Sequence, residues 1–170
     1  MSLVCADAEN LPFITESMGA VTSNLALQWC LNLEGLFSGV HRVLQPNGLF
    51  AFSTFGATAL KELKAAWENV DDYPHVNEFY SESVLESALQ IAGFVDIKIE
   101  TKVYVSEYES VWHLMRELKA IGAHNVSHTR RKTLTSKGQM QAMIAAYPVD
   151  SAGRVRASFE ILYIKARKQG

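Results

Sequence analysis

From Val95 to Ser106, apolar and polar residues alternate without a break. Val95, Ile97, Ile99, Thr101, Val103 and Val105 take one side; Asp96, Lys98, Glu100, Lys102, Tyr104 and Ser106 take the other. A helix repeats its faces every 3.6 residues and a strand every two, so this stretch is a half-buried strand. A strand of that kind needs a sheet to join, which commits the rest of the chain to supplying one.

The other segments supply it. Residues 2–6 and 18–23 read as short strands, and Leu49 to Thr54 as another. Asn32 can cap a helix through about Leu44, with Leu33, Leu36, Phe37, Val40, Val43 and Leu44 at helical spacing. Gln45-Pro-Asn-Gly48 carries turn chemistry after it. A helix is expected over Thr58 to Val70, and another with a capping box of Ser83 and Glu86 within its start that closes at Gly93. A box of Ser106 and Glu109 opens a helix to about Ile121, residues 135–147 form one more, and Val155 to Ala166 is the final strand. Strands alternating with helices predict an α/β layered fold, in which ligands sit beyond the carboxyl ends of the strands. Asp7-Ala-Glu9, Ser23-Asn24 and Thr54-Phe-Gly56 fall on that rim.

The 170 residues suit a single domain over 1–170. The formal net charge is −2, so the chain as a whole is no nucleic-acid polycation. No apolar run reaches the roughly 18 residues of a membrane span, and MSLVCADAEN has no basic leader, which reads as cytoplasmic. Two cysteines make no disulfide framework. The five histidines and two cysteines show no zinc-ligand spacing, and no GxSxG nucleophile motif occurs. On residue type alone, Asp7 can accept from an exocyclic amine or a ribose hydroxyl, or cap a turn. Asn24 can serve as a turn residue, and Trp29 can be core or ligand wall.

Three stretches resolve these alternatives by resemblance. ADAENLPF, SNLALQWC and HRVLQPNGLFAFSTFG, in this order and spacing, resemble the later motifs of class I S-adenosylmethionine-dependent methyltransferases. SNLALQWC, FSTFGATALKELKAAW, HVNEF (75–79) and LMRELKAIGAHN (114–125) are similar, more narrowly, to the malonyl-acyl-carrier-protein O-methyltransferase family of biotin synthesis. The resemblance covers essentially the whole chain. It implies a partial Rossmann-like sheet with helices on both faces, and a helical, basic lid over 107–150 between the last two strands. It implies S-adenosylmethionine as cofactor, with Asp7 and Ala8 at the adenine, Leu11 beside them, and Asn24 and Leu25 at the methionine end. Gln28 and Trp29 would face the methyl group and the malonyl end. His75, Asn77, Arg116 and Lys119 would serve the acceptor. Arg116 and Lys119 are three apart on one helix and so share a face. No acid or base is implied, since a carboxylate is already ionised at neutral pH.

From Leu118 to Val149 there is no Asp or Glu, whereas Lys119, Arg130, Arg131, Lys132 and Lys137 fall there. An acidic acyl carrier protein would be steered by such a patch, and a solvated loop would look the same. The ten glycines stand at 19, 35, 39, 48, 56, 93, 122, 138, 153 and 170, none two apart, so the family's GxGxG loop is absent. The resemblance therefore implies a chain that starts near the family's third strand, with its first two strands missing and its hold on the cofactor weakened or lost. It would correspond to the C-terminal two-thirds of the family's domain. The strand at 18–23 is then an apolar edge, expected to be covered by the displaced N-terminal segment or by a second copy of the chain, as a swapped or paired homodimer.

Overall fold

The structure is a computed structural model that describes residues 3–123 and 135–170. It contains four strands, β1 (Met18–Asn24), β2 (Leu44–Phe55), β3 (Phe94–Tyr108) and β4 (Val155–Lys168), in one sheet of order β1-β2-β4-β3. Five helices accompany them: α1 (Leu33–Val43), α2 (Lys61–Glu68), α3 (Glu82–Ile91), α4 (Val111–Ala120) and α5 (Lys137–Ala146). A short 3-10 turn covers Leu27–Trp29. The chain divides into two compact units. Unit 1 comprises Met1–Gly56, Tyr80–Lys102 and Ile161–Gly170, and unit 2 comprises Ala57–Phe79 and Val103–Glu160.

In unit 1, β1 runs parallel to β2, and β2 antiparallel to β4 with Phe50 opposite Ala166 and Phe52 opposite Ile164. Alternation in β2 and β4 sends Phe50, Phe52, Leu162, Ile164 and Ala166 to one side. There they meet Leu36, Phe37 and Val40 of α1 and Leu85 and Leu89 of α3. Phe50 stacks on Phe52 with centroids 4.6 Å apart, and Phe37 meets Phe50 edge-on at 6.0 Å. Asn32 caps α1 as its sequence predicts, accepting from the Gly35 N–H at 2.9 Å.

The turn expected at Gln45-Pro-Asn-Gly48 forms inside β2 rather than before it. Met18 pairs with Leu44 and Ala20 with Leu49, so β2 bulges while β1 advances two residues. Asn47 adopts φ 62°, and a Cβ on Gly48 would stand 2.7 Å from the Gln45 carbonyl, so only glycine closes the bulge. The strand expected at 2–6 is absent: residues 3–7 are exposed and carry no strand, because nothing in the described residues pairs with them.

Unit 2 packs α2, α4 and α5 around Leu63, Trp67, Leu114, Leu118, Met143 and Tyr147, closed by Val155 and Ala157 of β4. Two predicted helix starts move. Ser81, not Ser83, caps α3, and Ser110, not Ser106, caps α4. The second shift follows from β3, which continues to Tyr108 while Glu107 pairs with Arg154 and Arg156. α5 begins at a complete capping box of Ser136 and Gln139. The helical segment expected between the last two strands is present as α4 and α5.

Candidate functional site

The rim of unit 1 is built from two chain turns and a groove. β1 ends at Asn24, and Leu25 follows in the left-handed region at φ 47°, unusual for a non-glycine residue. Ser53 of β2 holds it there. The Leu25 N–H donates to both the Ser53 carbonyl (3.0 Å) and Ser53 Oγ (3.1 Å). Ser53 Oγ in turn donates to Asn24 Oδ1 at 2.5 Å. The turned-back Leu25 carbonyl accepts from Gln28 Nε2 at 2.6 Å. That bond fixes the Gln28 amide and leaves Oε1 buried, without a partner among the described residues, on a side chain only 8% exposed. A buried acceptor left unmatched is unfavourable, and it marks a place where a donor belongs. Trp29 follows, half-buried.

The second turn is Asp7–Phe13. Asp7 is exposed, and its Oδ1 accepts from the Glu9 N–H at 2.9 Å. Glu9 Oε1 accepts from the N–H groups of Leu31 (2.6 Å) and Asn32 (3.0 Å), which ties this loop to the residues just after Trp29. Ala8 and Leu11 pack against the unit 1 core, and Arg42 donates to the carbonyls of Leu11 and Phe13, both at 2.7 Å. Between them lies Cys30, whose thiol is pushed up by burial and by the charges of Glu9 and Asp7. The third component is a shallow groove of about 240 Å³ where Asn24, Ser53 and Thr22 meet Tyr163 and Lys165.

The charges of this rim are unevenly spread, with carboxylates in its N-terminal segment and Arg42 and Lys165 from later in the chain. No Lys or Arg occurs before Arg42, while Asp7, Glu9, Glu16 and Glu34 do. Among the described residues, the second oxygen of Asp7 and Oε1 of Gln28 are left to accept hydrogen bonds, while the Asn24 amide nitrogen and the Lys165 ammonium at the groove can donate them. A group that donates hydrogen bonds suits the Asp7 and Gln28 end of this rim. Neither Glu9 nor Ser53 stands out in the sequence: Glu9 has the same loop context as any solvated carboxylate, and Ser53 sits inside an apolar run. The lack of basic residues before Arg42 is the one sequence signal of this character.

The remaining expected residues lie in unit 2. His75 Nε2 meets Asp71 Oδ1 at 2.7 Å, and its ring stacks on Trp67 with centroids 3.7 Å apart and planes within 8°. Asp71 Oδ2 accepts from Gln139 Nε2 at 3.1 Å. Both rings, with Lys64, Tyr73, Val76 and Glu78, line a pocket of about 260 Å³. Lys64 lies 5.2 Å from the Phe79 ring centroid, and burial lowers its ammonium below the ordinary range against the pull of Glu78, Glu160 and Glu68. Asn77 is buried beside this loop, and Arg116 and Lys119 are exposed on α4. Arg130, Arg131 and Lys132 lie outside the described residues. Among the described residues no group of three His, Cys, Asp or Glu is placed to hold a metal ion, and no helix is long and apolar enough to cross a membrane.

Comparison with known proteins places these features in context. Residues 1–52 match a family described as a methyltransferase domain. The chain is 43% identical over 164 residues to a malonyl-[acyl-carrier protein] O-methyltransferase of Methylococcus capsulatus, covering 95% of this chain and 60% of that protein. It is 41% identical over 166 residues to the enzyme of the same name in Nitrosospira multiformis, covering 97% and 54%. It is 45% identical over 150 residues to the biotin biosynthesis bifunctional protein BioHC of Saccharophagus degradans, covering 85% and 27%. The chain thus spans less than two thirds of each of these relatives. Among solved structures it resembles the YcgJ protein of Bacillus subtilis, with a TM-score of 0.65 and 16% identity over 97% of this chain and 70% of that one. A Bacillus halodurans protein assigned as a methyltransferase gives 0.64 and 19% over 97% and 76%.

Proposed function

Because the chain belongs to the class I S-adenosylmethionine-dependent methyltransferases, we propose that it forms part of an enzyme that methylates the free carboxylate of malonyl-acyl carrier protein in biotin synthesis. Its relatedness to enzymes of that name, continuous over nearly its whole length, carries this reading. The cofactor would bring a methyl group on a positively charged sulfur, already a strong electrophile. The Gln28 and Asp7 end of the rim suits such a group: it offers acceptors, among them Gln28 Oε1, which has no partner among the described residues.

The residues then divide the work. Asp7 accepts from the adenine amine, Ala8 offers its N–H there, and Leu11 packs beside it. Ser53 holds Asn24 and Leu25 in the turn that meets the methionine end. Gln28 and Trp29 separate cofactor from acceptor and exclude water. His75 and Asn77 serve the acceptor, and Arg116 and Lys119 pair with its carboxylate, Arg116 through its bidentate fork. Arg130, Arg131 and Lys132 receive the acidic carrier protein. No general base is needed, because the acceptor oxygen is already ionised; the protein's task is alignment.

A second reading has its own observation. No two of the ten glycines stand two apart, so the chain lacks the loop that lets the backbone approach a cofactor closely. On that reading the 170 residues bind the acceptor but hold the cofactor weakly. Calorimetric titration with S-adenosylmethionine, followed by labelled-methyl transfer to malonyl-acyl carrier protein and to free short-chain acids, separates the two. Micromolar binding with transfer to the carrier-bound malonyl group is expected. Absence of binding supports the second reading, and transfer to another acid in preference removes the proposed substrate.

A further inference from the structure

β3 carries a charge pattern that is its own complement. Asp96, Lys98, Glu100 and Lys102 stand at every second position, alternate in sign and are all exposed. Ile97 and Ile99, between them, pack against the core of unit 1. β3 ends the strand order β1-β2-β4-β3, so among the described residues its outer edge has no neighbouring strand. Such an edge presents a row of backbone donors and acceptors ready for another strand.

A strand can pair with an antiparallel copy of itself about a two-fold axis through one residue, and the choice of that residue sets the register. With the axis at Ile99, Lys98 of one copy faces Glu100 of the other, Glu100 faces Lys98, and Asp96 and Lys102 face each other at both ends. With the axis one residue away, like meets like: Lys98 with Lys98 and Asp96 with Glu100, or Glu100 with Glu100 and Lys98 with Lys102. Charges placed only to repel other strands would not show this antisymmetry. Asp96 adopts φ 52°, which ends the regular ladder there and makes the two Lys98–Glu100 pairs central. Glu100 also pairs within the strand with Lys102 at 2.9 Å, but these side chains are 66% and 52% exposed and exchange partners at little cost. β1, the other edge, contains no charged residue and specifies no register.

We infer that the β3 edge is a self-association surface, across which two copies of this chain pair antiparallel with the axis at Ile99. This does not depend on the reaction proposed above. The test is sedimentation equilibrium of the full 170-residue chain. A reversible dimer that weakens with salt is expected. Lys98→Glu and Glu100→Lys, each turning both central pairs from attractive to repulsive, weaken it at least about tenfold. The double variant K98E/E100K restores it, and mixing the two single variants gives a heterodimer tighter than either homodimer. Circular dichroism checks that all variants keep the fold. A wild-type chain monomeric up to about 100 μM, a dimer indifferent to the single reversals, or a double variant no better than the singles overturns the inference.

Discussion

Ser53 shows how much one small side chain can organise. Its hydroxyl accepts from Leu25 and donates to Asn24, and its carbonyl takes the same Leu25 N–H. Ser53→Ala removes one donor and one acceptor from a buried position and should lower stability by about 1–2 kcal/mol, read by urea denaturation. An unchanged midpoint would mean that the backbone alone holds the left-handed turn. His41 makes a different point. Its imidazole lies edge-on to Phe94 at 5.1 Å, and burial, then the Lys168 charge, lowers its proton affinity, with a backbone bond at Gly93 opposing. The folded chain therefore takes up this proton at lower pH than the unfolded chain. The contribution is whole above the unfolded value of about 6.5 and is lost as pH falls through that value toward the folded one. His41→Gln should flatten stability between about pH 7 and 5 relative to wild type, measured by denaturation at each pH; parallel curves would remove His41 from the account.

Among the elements, α3 and β3 meet at Gly93, which adopts φ 91° and faces His41. A Cβ there would stand 3.2 Å from His41 Nε2 as well as in an unfavourable backbone region. Gly93→Ala should cost about 1–2 kcal/mol, visible as a lower melting temperature; a neutral result would show that His41 moves aside freely. This stop was legible in the sequence, as were the Asn32 cap and the strand character of β3, because each depends on local chemistry; the half-buried face expected along β3 holds only at Ile97 and Ile99, while Val95, Thr101, Val103 and Val105 are exposed. The misplaced starts are instructive. Ser83 and Ser106 each sit three residues before a glutamate and look like capping boxes, but Ser81 and Ser110 hold the first turns. At Ser106, pairing of β3 with a strand distant in sequence outweighs a local box, and no window of a few residues contains that information.

At the scale of the molecule, each unit closes its own hydrophobic cluster, and each is assembled from discontinuous stretches of chain. Such a division is invisible to periodicity, which reads neighbours in sequence. The α/β class was legible because strands and helices alternate; the clustering of Asp71, Trp67, His75 and Gln139 was not, because 68 residues separate Asp71 from Gln139. Leu114 is fully buried in unit 2. Leu114→Ala should cost about 3 kcal/mol, and hydrogen exchange should accelerate first at amides of unit 2. Acceleration beginning in unit 1 would show that the Leu114 cluster does not set the local stability of unit 2.

The carboxylates of the unit 1 rim have a consequence for chemical wear. A thiol reacts with alkylating agents and peroxides as its thiolate, and burial, with the charges of Glu9 and Asp7 adding to it, pushes the Cys30 thiol up and so disfavours the thiolate. Asp7 and Glu9 therefore act as a standing guard on the sulfur that lies behind them. Cys5 is exposed. Iodoacetamide followed by peptide mass mapping should find Cys5 modified well before Cys30, and Glu9→Gln should narrow the gap between them. A loop that carries carboxylates is thus also a place where a cysteine can last.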